Sequence, residues 1–164
     1  MRLIRWEEAD EQPLEFSRGN AGTQAARAIL RSKGLATNAE SVLVVDDDPG
    51  VRDALAELLA SEGYAVAAAE NGRVALDLLQ AGLRPCAVIL DLMMPVMDGW
   101  DFRAAQSQSP SLKEVPVIVI TAAGFSKESV RTQFGDLPFF AKPPNPDALL
   151  ATVKRVCGHL DGSQ

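Results

Sequence analysis

The chain is poor in the residues that most often carry chemistry. One histidine, His159, and two cysteines, Cys86 and Cys157, occur among 164 residues. A single histidine removes most support for histidine-based triads and for His-rich metal sites. The cysteines have neither CxxC nor metal-ligand spacing. They read as a buried thiol in an apolar strand and a thiol near a helix end, both reduced, as expected in the cytosol. His159 reads as a solvated side chain in a polar tail. No run reaches the ~18 apolar residues of a membrane span. The start, Met1-Arg2-Leu3-Ile4-Arg5-Trp6-Glu7-Glu8, is too short and too soon acidic for a signal peptide. A cytoplasmic protein is expected. Net charge is -6, which leaves the chain as a whole without an electrostatic footprint for nucleic acid. There is no internal repeat and no low-complexity tract.

What remains is ordinary for a globular domain. Apolar residues make up 47% and charged residues 23%, and the length suits one domain with an extension. Residues 1–40 differ from the rest. Arg2–Trp6 reads as a short strand and residues 7–20 as a loop. From Thr23 to Lys33 the residues Ala25, Ala26, Ile29 and Leu30 share one helical face, with Gly34 as a stop. So short a helix is marginal unless docked on something. The expected division is an extension over 1–40, partly helical or disordered, a domain over 41–160 and a tail over 161–164.

From Ser41 a regular alternation begins. Val42–Asp46, Tyr64–Ala69, Cys86–Asp91, Val115–Thr121 and Phe139–Ala141 read as strands. A helix follows each, the last over Pro146–Cys157. Asp48 and Asn71 are set to cap the first two of these, with Pro49 in the first turn. Near-continuous apolar strands between helices indicate a parallel sheet covered on both faces. Right-handed crossovers make that a doubly wound α/β three-layer sandwich with five strands.

Three strands end in charge. Val44-Val45-Asp46-Asp47-Asp48, Val88-Ile89-Leu90-Asp91 and Phe140-Ala141-Lys142 would bring acids and one lysine to the ligand-binding edge of such a sheet. Carboxylates about 4 Å apart at an effective dielectric of ~20 repel by roughly 4 kcal/mol per pair. A divalent ion and the lysine are the cations that would offset this. Asp46, Asp47 and Asp91 offer the oxygen donors Mg²⁺ takes. Taken alone, the acid run is equally well a helix cap with solvated charge. Thr121 ends the fourth strand on the same edge, as a hydroxyl donor to an anion or simply as a β-branched strand residue. Lys142 would act as a point charge for phosphate or snorkel to the surface.

Four strings in order now carry a resemblance: Val-Leu-Val-Val-Asp-Asp-Asp-Pro (42–49), Leu-Asp-Leu-Met-Met-Pro-Val-Met-Asp-Gly (90–99), Val-Ile-Val-Ile-Thr-Ala (117–122) and Phe-Phe-Ala-Lys-Pro (139–143). Over about Val42 to His159 the chain resembles a response-regulator receiver domain of two-component signalling, stand-alone and chemotaxis-regulator-like. The resemblance implies a flavodoxin-like fold with strand order 2-1-3-4-5. It implies Asp91 as phosphoacceptor and Mg²⁺ held by Asp46, Asp47, Asp91 and the main-chain carbonyl of Met93. It further implies Thr121 and the Ala122 N–H on the phosphoryl oxygens, Lys142 paired with Asp91, and a cis Lys142–Pro143 bond. Phe139 matches the aromatic position that turns inward with Thr121 as the switch. A histidine kinase or histidine phosphotransfer protein would supply the phosphoryl group, and an output protein not identifiable from sequence would receive the signal. A homodimer is among the assemblies allowed, and neither nucleic acid nor membrane is an expected partner.

The chain also departs from the family pattern. The interval from Thr121 to Lys142 is about one residue short. The stretch from Ala123 through Phe134 is a poor, short helix former. Met93 and Ala123, each two positions after a site residue, have no polar group to position an attacking water, so slow self-dephosphorylation is expected. No output domain is recognisable after Lys154-Arg155-Val156-Cys157. Phe125, Phe134 and Leu137 are either contacts on an output face or ordinary packing. Two other readings stand beside the receiver. One is a Mg²⁺-dependent aspartyl phosphatase or phosphotransferase, which Met93 disfavours because it is no second acid. The other is a phosphorylation-independent interaction module of the same fold.

Overall fold

The computed structural model describes residues 21–34, 40–122 and 124–161. The expectations for Arg2–Trp6 and for residues 7–20 lie outside these, as do residues 35–39 of the extension and 162–164 of the tail. The elements in chain order are α1 (Ala21–Lys33), β1 (Ser41–Val45), α2 (Pro49–Ser61), β2 (Ala65–Ala69), α3 (Gly72–Gln80) and β3 (Ala87–Leu90), then α4 (Gly99–Gln108), β4 (Val117–Thr121), α5 (Lys127–Phe134), β5 (Phe139–Ala141) and α6 (Pro146–Asp161). All strand pairs are parallel and the order is β2-β1-β3-β4-β5. No described helix is long and apolar enough to cross a membrane.

The three central strands are SVLVV, AVIL and VIVIT, and every residue in them is buried. Period-two alternation sorts their side chains into two layers. Leu43, Val45, Val88, Leu90, Val117 and Val119 face α1, α3, α4 and α5. Val42, Val44, Ile89, Ile118 and Ile120 face α2 and α6, where Leu55, Leu59, Leu149 and Val153 close the layer. The edge strands are weaker, β2 being mostly alanine and β5 only three residues long.

Side-chain caps start the helices, at Asp48 and Asn71 as the sequence implies and also at Asp98. Asp48 Oδ1 accepts from Gly50 N at 2.8 Å, Asn71 Oδ1 from Val74 N at 3.0 Å and Asp98 Oδ1 from Asp101 N at 2.9 Å. The α1 helix docks on α3, burying Ala26 and Leu30 in the larger apolar layer. That docking supplies the tertiary contact a 13-residue helix needs.

Some expectations require correction. Three strands are shorter than the sequence implies, because Tyr64, Cys86, Val115 and Pro116 lie before the ladders and Asp91 lies past them, while β1 is shifted by one residue, gaining Ser41 and losing Asp46. The last helix runs to Asp161, so His159 belongs to α6 and not to a tail. The larger correction concerns the cysteines. Cys86 and Cys157 are not reduced thiols but form a disulfide, with Cα atoms 4.9 Å apart. Spacing rules search for local pairs, whereas this pair is 71 residues apart and meets only because α6 packs under the start of β3.

Gly99 starts α4 against the backbone that carries the acid at the end of β3. A Cβ there would collide with the Asp91 carbonyl oxygen and lie 2.7 Å from Leu92 Cα. The close approach is held by a bond from Gly99 N to Leu92 O at 3.0 Å.

Two stability measurements follow. Closing a loop of this length by a disulfide restricts the unfolded chain by about 4 kcal/mol in the chain-entropy account. A dithiol reductant should therefore lower the urea midpoint by that equivalent, and an unchanged midpoint would count against the cross-link. Gly99→Ala should cost ~2–3 kcal/mol by overpacking against backbone that has little freedom to move. A stability loss under ~0.5 kcal/mol in the same unfolding assay would show that the loop yields.

Candidate functional site

Two residues beyond Val44, Ile89 and Phe140, all of the α2/α6 layer, stand Asp46, Asp91 and Lys142. The sheet therefore delivers the three charged groups to one edge from one side. Lys142 Nζ lies 2.6 Å from Asp46 Oδ2 and 3.1 Å from Asp91 Oδ2. Asp46 is 3% exposed and Asp91 4%, so the ammonium links two carboxylates that solvent barely reaches. Asp47 joins them from the exposed side. One carboxylate oxygen from each of Asp46, Asp47 and Asp91 can be chosen so that all lie within 4.8 Å of one another.

The backbone around these acids is fixed on both sides. Asp46 N donates to Ala69 O at 3.1 Å and Asp91 N to Val45 O at 2.9 Å, extending the ladders by one bond each. Asp46 Oδ1 accepts from Asp48 N at 2.9 Å, and Asp91 Oδ1 from Met93 N at 3.4 Å. Arg52, on the first turns of α2, donates from Nη1 to the Asp46 carbonyl at 2.6 Å. Burial pushes the Asp46 carboxyl above the ordinary aspartate value and the Asp91 charge adds to this, against the lowering pull of Lys142 and the Asp48 N–H. For Lys142, burial disfavours the charge, but hydrogen bonds to Asp46 and Asp91 outweigh it and raise the pKa.

Thr121 is the last residue of β4 and completely buried. Its main-chain carbonyl accepts from Lys142 N at 2.9 Å, which ties the fourth strand to the lysine. Its hydroxyl has no hydrogen-bond partner among the described residues. A buried hydroxyl left unpaired costs ~1–3 kcal/mol, so the position favours an incoming acceptor oxygen. Ala122 follows, exposed, at the same edge. The Lys142–Pro143 bond is cis, as the resemblance implies.

The site's rim is the loop between β3 and α4, where Met93 and Val96 are exposed large apolar side chains. Val96 has φ 68°, a left-handed conformation that costs a β-branched residue ~1–2 kcal/mol. The loop is tied to α3 by Gly72 N donating to Met97 O at 2.9 Å. Phe139 is half-buried and packs on the α3–α5 layer together with Phe125, Phe134 and Leu137, which are themselves partly exposed. Trp100 stacks on Phe134, with ring centroids 4.8 Å apart, and on Phe125 at 6.1 Å, so its ring meets α5 and the segment before it.

All the predicted acids and the lysine thus converge. Ala123, part of the water-positioning reading, lies outside the described residues. Sequence reasoning missed Arg52 and the role of Gly99. Arg52 carries no signal of its own, being one arginine on an amphipathic helix. Gly99 stands in a quoted string, but the collision that requires it is visible only once α4 is packed on the Asp91 backbone.

Comparison with known proteins agrees with this geometry. Residues 42–154 match the family described as the response regulator receiver domain. The chain is similar to the response regulator Rre1 of Synechocystis sp., at 36% identity over 125 residues, covering 75% of this chain and 54% of that protein. It therefore spans about half the length of that relative. Among solved structures it resembles the receiver domain of a signal transduction histidine kinase from Syntrophus aciditrophicus, with TM-score 0.68, 29% identity and coverage of 76% of this chain and 95% of the other. It also resembles a CheY-like receiver domain protein from Methanospirillum hungatei JF-1, with TM-score 0.65, 28% identity and coverage of 77% and 100%. The parallel 2-1-3-4-5 sheet, the acid–lysine cluster at its edge and the family match together make this chain a member of the response regulator receiver family, the phosphoryl-accepting receivers of two-component signalling.

Proposed function

We propose that Asp91 is the phosphoacceptor, taking its phosphoryl group from a phosphohistidine on a histidine kinase or phosphotransfer protein. The observation that carries this reading is the Lys142 ammonium bound to both buried acids, with Asp47 beside them. An Asp91 carboxylate oxygen attacks phosphorus, the P–N bond breaks, and the imidazole departs and is protonated from solvent. The product is an acyl phosphate. Such a transfer needs positioning and charge neutralisation more than proton chemistry. Lys142 neutralises charge on the transferring oxygens. Thr121, through its unpaired hydroxyl, and the Ala122 N–H donate to them.

Three clustered carboxylates are hard oxygen donors and fit Mg²⁺. Asp46, Asp47, Asp91 and the Met93 carbonyl would hold it, and it would supply positive charge against the phosphoryl oxygens. Once phosphate engages Thr121 and Lys142, Thr121 and Phe139 shift together, biasing the face made by α5, β5 and α6 toward an output partner. The catalytic role is confined to the domain's own phosphorylation and dephosphorylation. We place the receiver at residues 41–160 and the protein in the cytoplasm with its kinase, on the strength of the family. Residues 1–40 are an extension whose α1 is built onto the receiver.

The decisive test is intact mass after incubation with acetyl phosphate. Wild type with Mg²⁺ should gain one phosphoryl group, whereas Asp91→Asn, or wild type with excess chelator, should gain none. Uptake by Asp91→Asn equal to wild type would remove Asp91 from the role. Lys142→Ala should slow uptake by about 10²-fold, the usual loss for one charge-stabilising donor, and a rate within twofold of wild type would exclude the lysine. Because Met93 has no group to orient water, the isolated phosphoprotein should persist for many minutes. A half-life of seconds by the same mass measurement would contradict that.

A further inference from the structure

The Cys86–Cys157 disulfide plays no part in the phosphoryl site, yet it joins the two elements that flank it. Cys86 directly precedes β3, the strand that leads to Asp91, and Cys157 lies in the last turns of α6. The two residues differ in burial and surroundings. Cys86 is 1% exposed and packed in the α2/α6 layer, whereas Cys157 is 8% exposed and lines a recess of about 330 Å³. Tyr64, Gly63 and Gly158 share its walls, and the Lys154–Glu62 ion pair, at 2.6 Å, spans them. A recess of this volume has room for a small thiol beside Cys157, and Cys86 is not among the residues that line it. Further up α6, Leu149 and Val153 are fully buried, so the upper helix is held by packing and only its end by sulfur.

We infer that this disulfide is a thiol-exchange site, opened at Cys157 by a small thiol entering the recess, and that its reduction unclasps the last turn of α6 from the start of β3. A thiolate RS⁻ attacks Cys157 Sγ. The Cys86–Cys157 bond breaks, and Cys86 leaves with the electron pair and takes a proton. A second RS⁻ attacks the sulfur of the bound RS group, releasing Cys157 as a thiol and RSSR as the oxidised product. Two RSH are consumed for two cysteine thiols formed. Exchange is governed by access and by the thiolate fraction of the attacker. Disulfides of proteins in reducing compartments are commonly transient and redox-sensing. This inference rests on the fold and the recess, not on the role of Asp91.

The test uses the full chain in native buffer. Thiol release on adding dithiothreitol should rise in proportion to its concentration. Trapping with β-mercaptoethanol and then iodoacetamide should give the adduct on Cys157 and the alkyl group on Cys86 in the peptide map. A Cβ built on Gly158 meets nothing within 4 Å beyond its chain neighbours and its own helix backbone, so the position has space for a first side-chain atom. Gly158→Phe should fill the recess and slow release at least tenfold, while Gly158→Ala leaves it unchanged. Amide exchange through local opening should accelerate near the end of α6 in the reduced protein, ahead of the general loss of protection that lower global stability brings. Two free thiols in the untreated protein, an adduct on Cys86, or release independent of dithiothreitol concentration would each overturn the inference. So would a Gly158→Phe protein reduced as fast as wild type. Should that variant fail to form the disulfide, the wild-type adduct map and concentration dependence decide alone.

Discussion

The constraint on which the rest depends is the burial of two carboxylates, Asp46 and Asp91, around one ammonium. Neither acid would be tolerated at 3–4% exposure without Lys142, because charge repulsion and desolvation act together on them. Lys142 reaches them only if β5 stands at the far side of β4, and Asp46 reaches Asp91 only if β1 and β3 are neighbours. The strand order and the charge cluster are therefore two descriptions of one requirement. Three acids meet one lysine, and the buried Thr121 hydroxyl has no partner among the described residues.

Much of this was legible in the sequence. Apolar strands alternating with helices indicate a parallel sheet, and Asp48, Asn71 and Gly34 punctuate the helices by ordinary cap chemistry. Order within the sheet was not written in local pattern and came only from the resemblance. Strand limits were overrun at Tyr64, Cys86 and Val115, because apolar residues just outside a ladder look like those within it. The disulfide was illegible for a different reason. Its two halves have nothing in common until the crossovers set α6 beneath β3, and no window along the chain contains both.

The first described helix shows how little sequence pattern is needed when packing does the work. Ala26 and Leu30 are a modest apolar stripe, and the helix would fray alone. Set against α3 it becomes part of the larger layer. The layer that holds α3 and α4 also supports the Asp91 loop through Gly72 and Met97. The first described helix is thus joined mechanically to the rim of the site.

The cross-link between Cys86 and Cys157 has one more consequence, which is topological. It closes a covalent ring that contains Asp91, Thr121 and Lys142 and leaves Asp46 and Asp47 outside. Tension applied to the two ends of the oxidised chain would pass through the sulfur bridge and not along the intervening backbone. β1 and β2 could be peeled away and stretched while the ring paid out no length. Acceptor, threonine and lysine would stay tethered within one loop, and the acid pair would be the half that has to find its way back.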